Sequence, residues 1–236
     1  MMRSLADQTL DELGGRLSVL SRQKSDHIEL DRLLRELEAA GTRWEEDRTL
    51  QRIYRLVFPH AFAEETVLWP VIRRVLADGQ ALTLEVEQEH QEVNELVRSL
   101  EDEKDPSPDR ATRIARLAAV LREDVRDEED ELLPRLQDRL SRRQLRALGV
   151  AWEAVRRVSP TRAHPVVARR PPGNALSSLP LSVVDRLRDG ADVLARHDVA
   201  PHLVEPAQRR LHQVGRRIER TVPFRRGEDP STSAEG

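Results

Sequence analysis

Two stretches of the chain match each other: HAFAEETVLWP at residues 60–70 and DVRDEEDELLP at residues 124–134. The offset of 64 residues keeps the spacing of two adjacent glutamates, a leucine and a proline. Upstream of each stretch, HIEL at residues 27–30 matches HQEV at residues 90–93 at an offset of 63. Two matched pairs of segments at nearly the same offset indicate a duplicated unit, and the simplest such unit here is a helical hairpin.

Composition and periodicity both indicate an all-α protein. Only 3% of the 236 residues are aromatic, 34% are charged, and ten glycines supply few turns. Apolar residues recur at helical spacing in four long blocks that are joined by short connections, which predicts an up-down-up-down four-helix bundle. A fifth helix is predicted over residues 141–158, where it carries Trp152. The chain has no cysteine, which excludes disulfides and thiolate metal sites.

A change in charge and a proline-rich stretch divide the chain. Residues 1–158 carry 26 basic and 33 acidic side chains, whereas residues 159–236 carry 13 and 9. Four prolines between residues 159 and 174 disfavour helix there, so we place a domain boundary in this stretch. The predicted parts are a bundle at 1–158, a linker at 159–180, a helical appendage at 181–222 and a disordered tail at 223–236. Two short amphipathic helices, at about 181–196 and 206–220, are predicted in the appendage.

Charge and hydropathy limit the expected partners and location. The formal net charge is −3, which gives no basic field for nucleic acid or an anionic membrane. No apolar run approaches the length of a membrane span, and the first residues lack the apolar stretch of a signal peptide. We therefore expect a cytoplasmic protein without nucleic-acid or membrane partners. A protein partner that binds the basic C-terminal helices stays open.

Helical wheels place six polar side chains on the inward faces of the four helices. His60 and Glu64 lie 40° apart on one apolar face at 100° per residue. Glu65 lies 140° from His60, so we expect it at the solvent or on a helix flank. Asp31 and Asn94, one turn after two of the histidines, are candidates to orient an imidazole. The inward set is His27, His60, Glu64, His90, Asp124 and Glu128.

Burying these ionisable groups in one layer costs free energy unless a cation compensates them. Imidazole and carboxylate ligands without sulfur suit iron, manganese or zinc. Glu64 and Glu128, which the repeat relates, are placed to bridge two ions. Pro59 and Pro70 interrupt the helical pattern, which predicts a bend or a short break beside these ligands.

At these residues the sequence resembles the hemerythrin family in its HHE cation-binding form. The resemblance rests on DH at 26–27, HAFAEETVLWP at 60–70, EH at 89–90 and DVRDEEDELLP at 124–134, and it covers about residues 15–140. It implies a four-helix bundle with a non-haem di-iron centre that binds or senses oxygen or nitric oxide, or reduces peroxide. By the same resemblance, His27, His60, Glu64, His90 and Glu128 are expected iron ligands.

The chain departs from the family pattern at Asp124, where the family has histidine. A carboxylate is shorter and harder than an imidazole, so we expect an asymmetric centre whose ion nearest Asp124 is held more loosely. For this reason the number and identity of the metal ions stay open: one ion instead of two, or manganese or zinc in place of iron. Whether the protein is an enzyme, a carrier or a sensor also stays open.

Two alternatives compete with this interpretation. A degenerate, metal-free bundle that acts as an interaction module is the first. A ferritin-like oxidase is the second, and it is disfavoured because no histidine follows three residues after Glu64 or Glu128. Nucleophile, phosphate-loop and dinucleotide motifs are absent from the sequence.

Overall fold

The computed structural model describes residues 3–103, 107–168, 170, 173–196 and 201–221. Within these residues the protein is built from helices and has no strand, which confirms the all-α prediction. The helices are α1 (Val19–Glu38), α2 (Arg43–Ala63), α3 (Trp69–Val75), α4 (Gly79–Glu101), α5 (Arg110–Asp127), α6 (Leu133–Arg139), α7 (Arg142–Val158), α8 (Gly173–Arg196) and α9 (Pro201–Glu219).

The two matched stretches adopt the same local structure. One π-helical turn, Glu64–Leu68, joins α2 to α3, and a second, Glu128–Leu132, joins α5 to α6. A π turn holds one residue more than an α turn and is frequent at functional sites. Pro70 and Pro134 follow in the first turn of α3 and α6, where each lacks the N–H that would continue the helical hydrogen bonds of the π turn. The break predicted from Pro59 and Pro70 is a change of helix type just before Pro70, whereas α2 continues through Pro59. The same change of helix type occurs before Pro134.

Caps set the starts of two helices that frame the bundle. Thr42 accepts a hydrogen bond from the backbone N–H of Glu45, whose carboxylate accepts from the N–H of Thr42. Ser141 and Gln144 form the same reciprocal pair at the start of α7. Each pair satisfies two backbone donors that a helix start would otherwise leave free.

The apolar core is divided into two clusters by a polar layer. One cluster contains Leu34, Ile53, Val97 and Leu117 at one end of the bundle. The other contains Leu20, Trp69, Ile72, Leu132 and Trp152 at the opposite end. Along every bundle helix, the predicted polar site residues fall between these two clusters. The polar layer therefore has apolar core on both sides along the bundle axis.

Helix α7 lies against α1 and α2, as the prediction of a fifth helix beside the bundle requires. The approach is closest at Gly149, where an added Cβ would lie 2.0 Å from the carbonyl oxygen of Leu17. Only glycine fits such a contact between backbones. Trp152, one turn further along α7, is completely buried.

The C-terminal helices differ from the predicted boundaries. Helix α8 begins at Gly173, eight residues before the predicted start, so residues 173–180 are helical where a linker was predicted. Pro180 lies inside α8, and the burial of Leu181 and Val184 offsets the hydrogen bond that it removes. Helix α9 begins at Pro201 and packs along α8 as a hairpin.

The division into four parts stays a prediction. Residues 159–168 follow a non-helical path across the bundle, as expected for a linker. The predicted disordered tail, residues 223–236, lies outside the described residues. Among the helices that the structure describes, none is long and apolar enough to cross a membrane.

Candidate metal centre

The structure brings the six predicted site residues together in the polar layer. Glu64 and Glu128 are almost completely buried, with 0% and 1% of their surface exposed. His27, His60 and His90 are buried as well, and Asp124 is partly buried. All four bundle helices, or the π turns that continue them, contribute to this layer.

Each histidine turns its Nε2 atom toward a carboxylate at the centre. His27 Nε2 lies 3.2 Å from Glu128 Oε2, and His60 Nε2 lies 3.0 Å from Glu64 Oε1. His90 Nε2 lies 3.7 Å from Glu64 Oε2 and 3.5 Å from Asp124 Oδ1. His27 of the first half thus faces Glu128 of the second, and His90 of the second half faces Glu64 of the first.

Two overlapping groups of ligand atoms have the spacing of metal sites. One ligand atom from each of His27, His60 and Glu128 lies within 4.8 Å of the others, and the same holds for Glu64, His90 and Glu128. Glu128 belongs to both groups, which is the position of a bridging carboxylate. Asp124 contacts only His90 among the histidines of this layer.

The opposite ring nitrogen of each histidine is held by a second carboxylate. His27 Nδ1 lies 2.9 Å from Glu129 Oε1, and His60 Nδ1 lies 3.1 Å from Asp26 Oδ2. His90 Nδ1 lies 2.9 Å from Glu65 Oε1. An Nδ1–H that donates to a carboxylate fixes the tautomer and leaves Nε2 as the ligand atom. All three imidazoles are thus oriented for coordination toward the centre.

These orienting carboxylates correct the sequence interpretation. Glu65 is only 3% exposed and faces α4, so the prediction that admitted a solvent position was wrong on that point. The helical wheel assumed 100° per residue, whereas a π turn begins at Glu64 and changes that angle. The signal was present in the repeat, because both matched stretches contain a pair of adjacent glutamates.

The two residues predicted to orient an imidazole do not do so. Asp31 is half-exposed and pairs with Arg35 on the surface of α1. Asn94 is buried, but its Nδ2 donates to the backbone oxygen of His90 rather than accepting from a ring. Asp26, which sequence reasoning left without a role, holds His60. The sequence feature that could have identified Asp26 is its position directly before His27.

The electrostatics of the layer show an excess of carboxylates over compensating groups. Burial opposes the charge on His27, but the adjacent carboxylates of Glu128 and Glu129 raise its pKa to about 9. Burial, the nearby charge of Glu64 and that of Asp124 raise the pKa of Glu128 to about 8. A carboxylate with a raised pKa beside an imidazole with a raised pKa is typical of a metal site, because protons and the metal ion compete for the same ligand atoms.

Unpaired oxygens mark where positive charge would be bound. Among the residues that the structure describes, no hydrogen-bond donor is placed for Glu64 Oε2, Asp124 Oδ1 or either carboxylate oxygen of Glu128. Gln23 Nε2 donates to the other oxygen of Glu64 at 2.6 Å. Buried carboxylate oxygens without donors cost free energy unless a cation satisfies them. The donor set therefore fits one or two metal ions.

A small cavity adjoins the histidines on one side of the layer. Its volume is about 30 Å³, which exceeds the space that a single water requires. Its polar lining includes His27, His60, His90 and Asp124. The rest of its lining is largely apolar and includes Leu30, Leu56, Val57, Phe58, Val93, Leu121 and Val125. A space of this size and polarity suits a diatomic molecule.

Comparison with known proteins adds three findings. Residues 18–136 match the family model for the hemerythrin HHE cation-binding domain. An uncharacterised hemerythrin-like protein of Schizosaccharomyces pombe is 25% identical over 170 residues, covering 70% of this chain and 81% of the relative. A DNA nickase of a Nostoc species is 26% identical over 133 residues, covering 56% of this chain but only 37% of that relative. No solved structure matches the chain.

Proposed function

The chain belongs to the hemerythrin HHE cation-binding domain family, and from this premise we propose that it holds a non-haem di-iron centre. We assign His27, His60, Glu64, His90, Asp124 and Glu128 as the ligands. The proposed function is to bind, sense or reduce a small ligand such as oxygen, nitric oxide or peroxide. The observation that carries the proposal is the convergence of three Nε2 atoms and the shared Glu128 carboxylate beside a diatomic-sized cavity.

The donor chemistry supports iron, manganese or zinc, and the proposed redox function favours iron over zinc. Three imidazoles and three carboxylates without sulfur suit iron, manganese and zinc, and they disfavour copper(I). Zinc has no redox chemistry and would make the site purely structural. Iron supplies a redox-active centre that binds oxygen, nitric oxide or peroxide when it is present.

The protein's own residues orient the ligands and exclude water. Glu129, Asp26 and Glu65 hold the three Nδ1 atoms, so the imidazoles need little rearrangement when a metal binds. The apolar part of the cavity lining offers a diatomic ligand a space with few hydrogen-bond partners for water. Because this part of the lining is apolar, small neutral molecules can compete with water for the cavity.

The ligand set also supports unequal affinities for two ions. His27 and His60 both lie near Glu128, so one ion has two imidazoles. The second group has His90 as its imidazole and Glu64 and Glu128 as its carboxylates, and the shorter Asp124 lies beside it, with Oδ1 3.5 Å from His90 Nε2. We propose that the ion beside His90 and Asp124 is bound more weakly than the ion beside His27 and His60.

The name of the Nostoc relative describes an action on DNA, and we do not carry it to this chain. Residues 1–158 contain 33 acidic against 26 basic side chains, which opposes binding to a polyanion. We therefore keep the expectation of no nucleic-acid partner. The competing function is a metal-free interaction module.

Metal content tests the proposal directly. Protein produced with ample iron is expected to contain up to two iron atoms per chain and to show the absorption bands of a ferric pair. A His27→Ala/His90→Ala variant is the matched control, and it should lose the bands and most of the iron. Folded wild-type protein that binds no transition metal, even after anaerobic addition of ferrous iron, would favour the interaction module. Gas release from added peroxide then distinguishes an enzyme from a carrier or sensor.

A further inference from the structure

The four seams between neighbouring bundle helices are unequal. The backbones of α1 and α2, and those of α4 and α5, approach each other closely at many positions, whereas the α1–α5 and α2–α4 pairs have sparse backbone approaches. A loosely packed seam is where a molecule can pass between helices with the least displacement of side chains. The two sparse seams are therefore the candidate paths between the solvent and the cavity beside the histidines.

The α2–α4 seam is covered by the C-terminal part of the chain. A cavity of about 50 Å³ lies in this seam, and Val167, Ala168 and Leu181 close it from outside. The covering residues are fixed in place by buried polar contacts. The backbone N–H of His164 donates to Asn94 Oδ1 at 3.0 Å, and the His164 ring lies between Asp185 and Glu219. A molecule in this seam would have to displace a well-anchored segment.

The α1–α5 seam opens instead into a surface groove of about 400 Å³. Ile28 stands at the surface of this groove with 61% of its area exposed. Leu30, Leu34, Leu121 and Val125 form an apolar part of its lining. His27 and Glu129 also line it, so the groove reaches the outer side of the metal centre.

One layer of side chains separates this groove from the inner cavity. His27, Leu30, Leu121 and Val125 line both spaces. Leu30 and Leu121 are buried members of the core cluster, whereas Val125 is only partly buried and packs against that cluster from its edge. Rotation of a side chain at the edge of a core requires less repacking than movement inside it.

We propose that small uncharged ligands reach the metal centre through the α1–α5 groove, and that the Val125 side chain controls their passage. The inference rests on the proposed function, because the ligand is the one that the centre binds. It adds the path and a residue that sets the rate of entry. Leu30, Leu121 and Val125, which separate the groove from the cavity, favour dioxygen and nitric oxide over ions, since a charged species would lose its hydration in passing them.

Rates of ligand binding test this assignment. In iron-loaded protein, Val125→Phe is expected to slow both association and dissociation of nitric oxide by about tenfold, the effect of ~1.4 kcal/mol on a barrier. Because a barrier affects entry and exit equally, the equilibrium affinity should stay close to that of the wild type. Val125→Ala should accelerate both rates. Val167→Phe, the same substitution in the covered α2–α4 seam, is the matched control and should leave both rates unchanged.

A second measurement needs no metal, so it stays informative if the protein proves not to bind iron. Trp69 and Trp152 are buried beside His90 and His60, and Trp44 is exposed. In iron-free protein carrying Trp44→Phe, quenching of the remaining fluorescence by dissolved oxygen reports penetration to this region. Val125→Phe should lower the quenching constant and Val125→Ala should raise it.

Two results would overturn the proposal. The first is slower binding and weaker quenching in Val167→Phe with wild-type behaviour in both Val125 variants, which would assign the path to the α2–α4 seam. The second is a Val125→Phe protein that loses affinity for nitric oxide without any change in the association rate, which would make Val125 a wall of the binding cavity only. Val125→Ala keeps the test valid if the phenylalanine variant does not fold.

Discussion

The two hairpins of the bundle repeat one design and differ at one polar pair. In the first hairpin, Asp26 accepts a hydrogen bond from His60 Nδ1 at 3.1 Å. The corresponding residues of the second hairpin are Glu89 and Asp124, so a second carboxylate takes the place of the imidazole. Burial and the charge of Asp124 raise the pKa of Glu89 to about 8. The π turn and the buried glutamate that begins it are repeated in both halves, whereas the imidazole that pairs with the acidic residue of the first hairpin is replaced by a carboxylate in the second.

The two hairpins also differ in what covers them. Helix α7 places Trp152 edge-on against the His60 ring, with 5.3 Å between ring centroids. Arg156 of the same helix lies 3.4 Å from Asp26. On the second hairpin, the chain that reaches α4 is the segment after α7, through the contact between His164 and Asn94. The half with the complete set of histidines is therefore also the half that α7 supports.

The largest effect is expected from removing the carboxylate that both halves share. Glu128→Ala should abolish binding of both ions, because Glu128 belongs to both groups of ligand atoms. Metal analysis of protein purified after iron addition measures this loss. Glu131→Ala, on the same π turn but with an exposed side chain, should keep the wild-type content. Retention of two tightly bound ions by Glu128→Ala would contradict a bridging role.

Restoring the missing imidazole should make the two halves alike. In Asp124→His, Glu89 gains a ring nitrogen to hold, and the second ion gains an imidazole ligand. We expect the dissociation constant of the more weakly bound ion to fall by about tenfold or more, in line with the usual effect of an oriented histidine ligand. Titration of metal-free protein with ferrous iron measures both constants.

A double-mutant cycle separates the two contributions to that gain. Glu89→Gln should cancel part of the improvement in the Asp124→His background and have little effect on metal affinity in the wild type. Equal, tight binding of two ions by the wild-type protein would show that Asp124 does not weaken its site.

The carboxylates that hold the imidazoles should have an intermediate effect in both halves. Asp26→Asn and Glu65→Gln are each expected to weaken metal binding by about 10- to 100-fold, because a neutral amide oxygen holds the Nδ1–H of the histidine less firmly than a carboxylate does. Competition with a chromophoric chelator measures the change. Asp31→Asn is the control, since Asp31 lies on the surface and contacts Arg35 rather than a histidine. A similar loss in Asp31→Asn would contradict the assignment.

The last prediction concerns folding stability, without a direct effect on metal binding, in the segment that covers the second hairpin. Burial opposes the charge on His164, but Asp185 and Glu219 raise its pKa to about 9 from an ordinary value of 6.5. A pKa that folding raises gives stability that is complete below about pH 6.5 and is lost as the pH rises through about 9. The stabilisation from this residue is at most about 3 kcal/mol.

Urea unfolding of wild-type and His164→Gln protein at pH 6 and pH 10 measures this dependence. The difference in unfolding free energy between the two proteins should be large at pH 6 and small at pH 10. An equal difference at both values would mean that His164 stabilises the cover by packing rather than by its charge.

Much of the fold followed from local patterns. Helical periodicity and short connections predicted the four-helix bundle and the fifth helix, and both are confirmed. The prolines misled where helix continues through Pro59 in α2 and through Pro180 in α8, whose neighbours Leu181 and Val184 are buried. Propensity is a local property, whereas the burial that overrides it depends on what the segment packs against.

For the candidate site, the sequence supplied the six converging residues but not their orientation. The repeat identified the inward histidines and glutamates, since duplication keeps their spacing. It assigned Glu65 by a regular helical wheel, and the π turn moved that carboxylate onto His90. It gave no orienting role to Asp26 or Glu129, whose partners belong to other helices.

The sequence alone determined that this protein is a duplicated helical hairpin with imidazoles and carboxylates in one layer, because both features are encoded in the spacing of residues along the chain. The tertiary structure decided which carboxylate faces which ring nitrogen, and which seam of the bundle stays uncovered. These contacts join residues far apart in the chain, and their partners are set by how the helices pack. The pairing of Asp26 with His60, and the position of Asp124 near Glu89, arise from that packing.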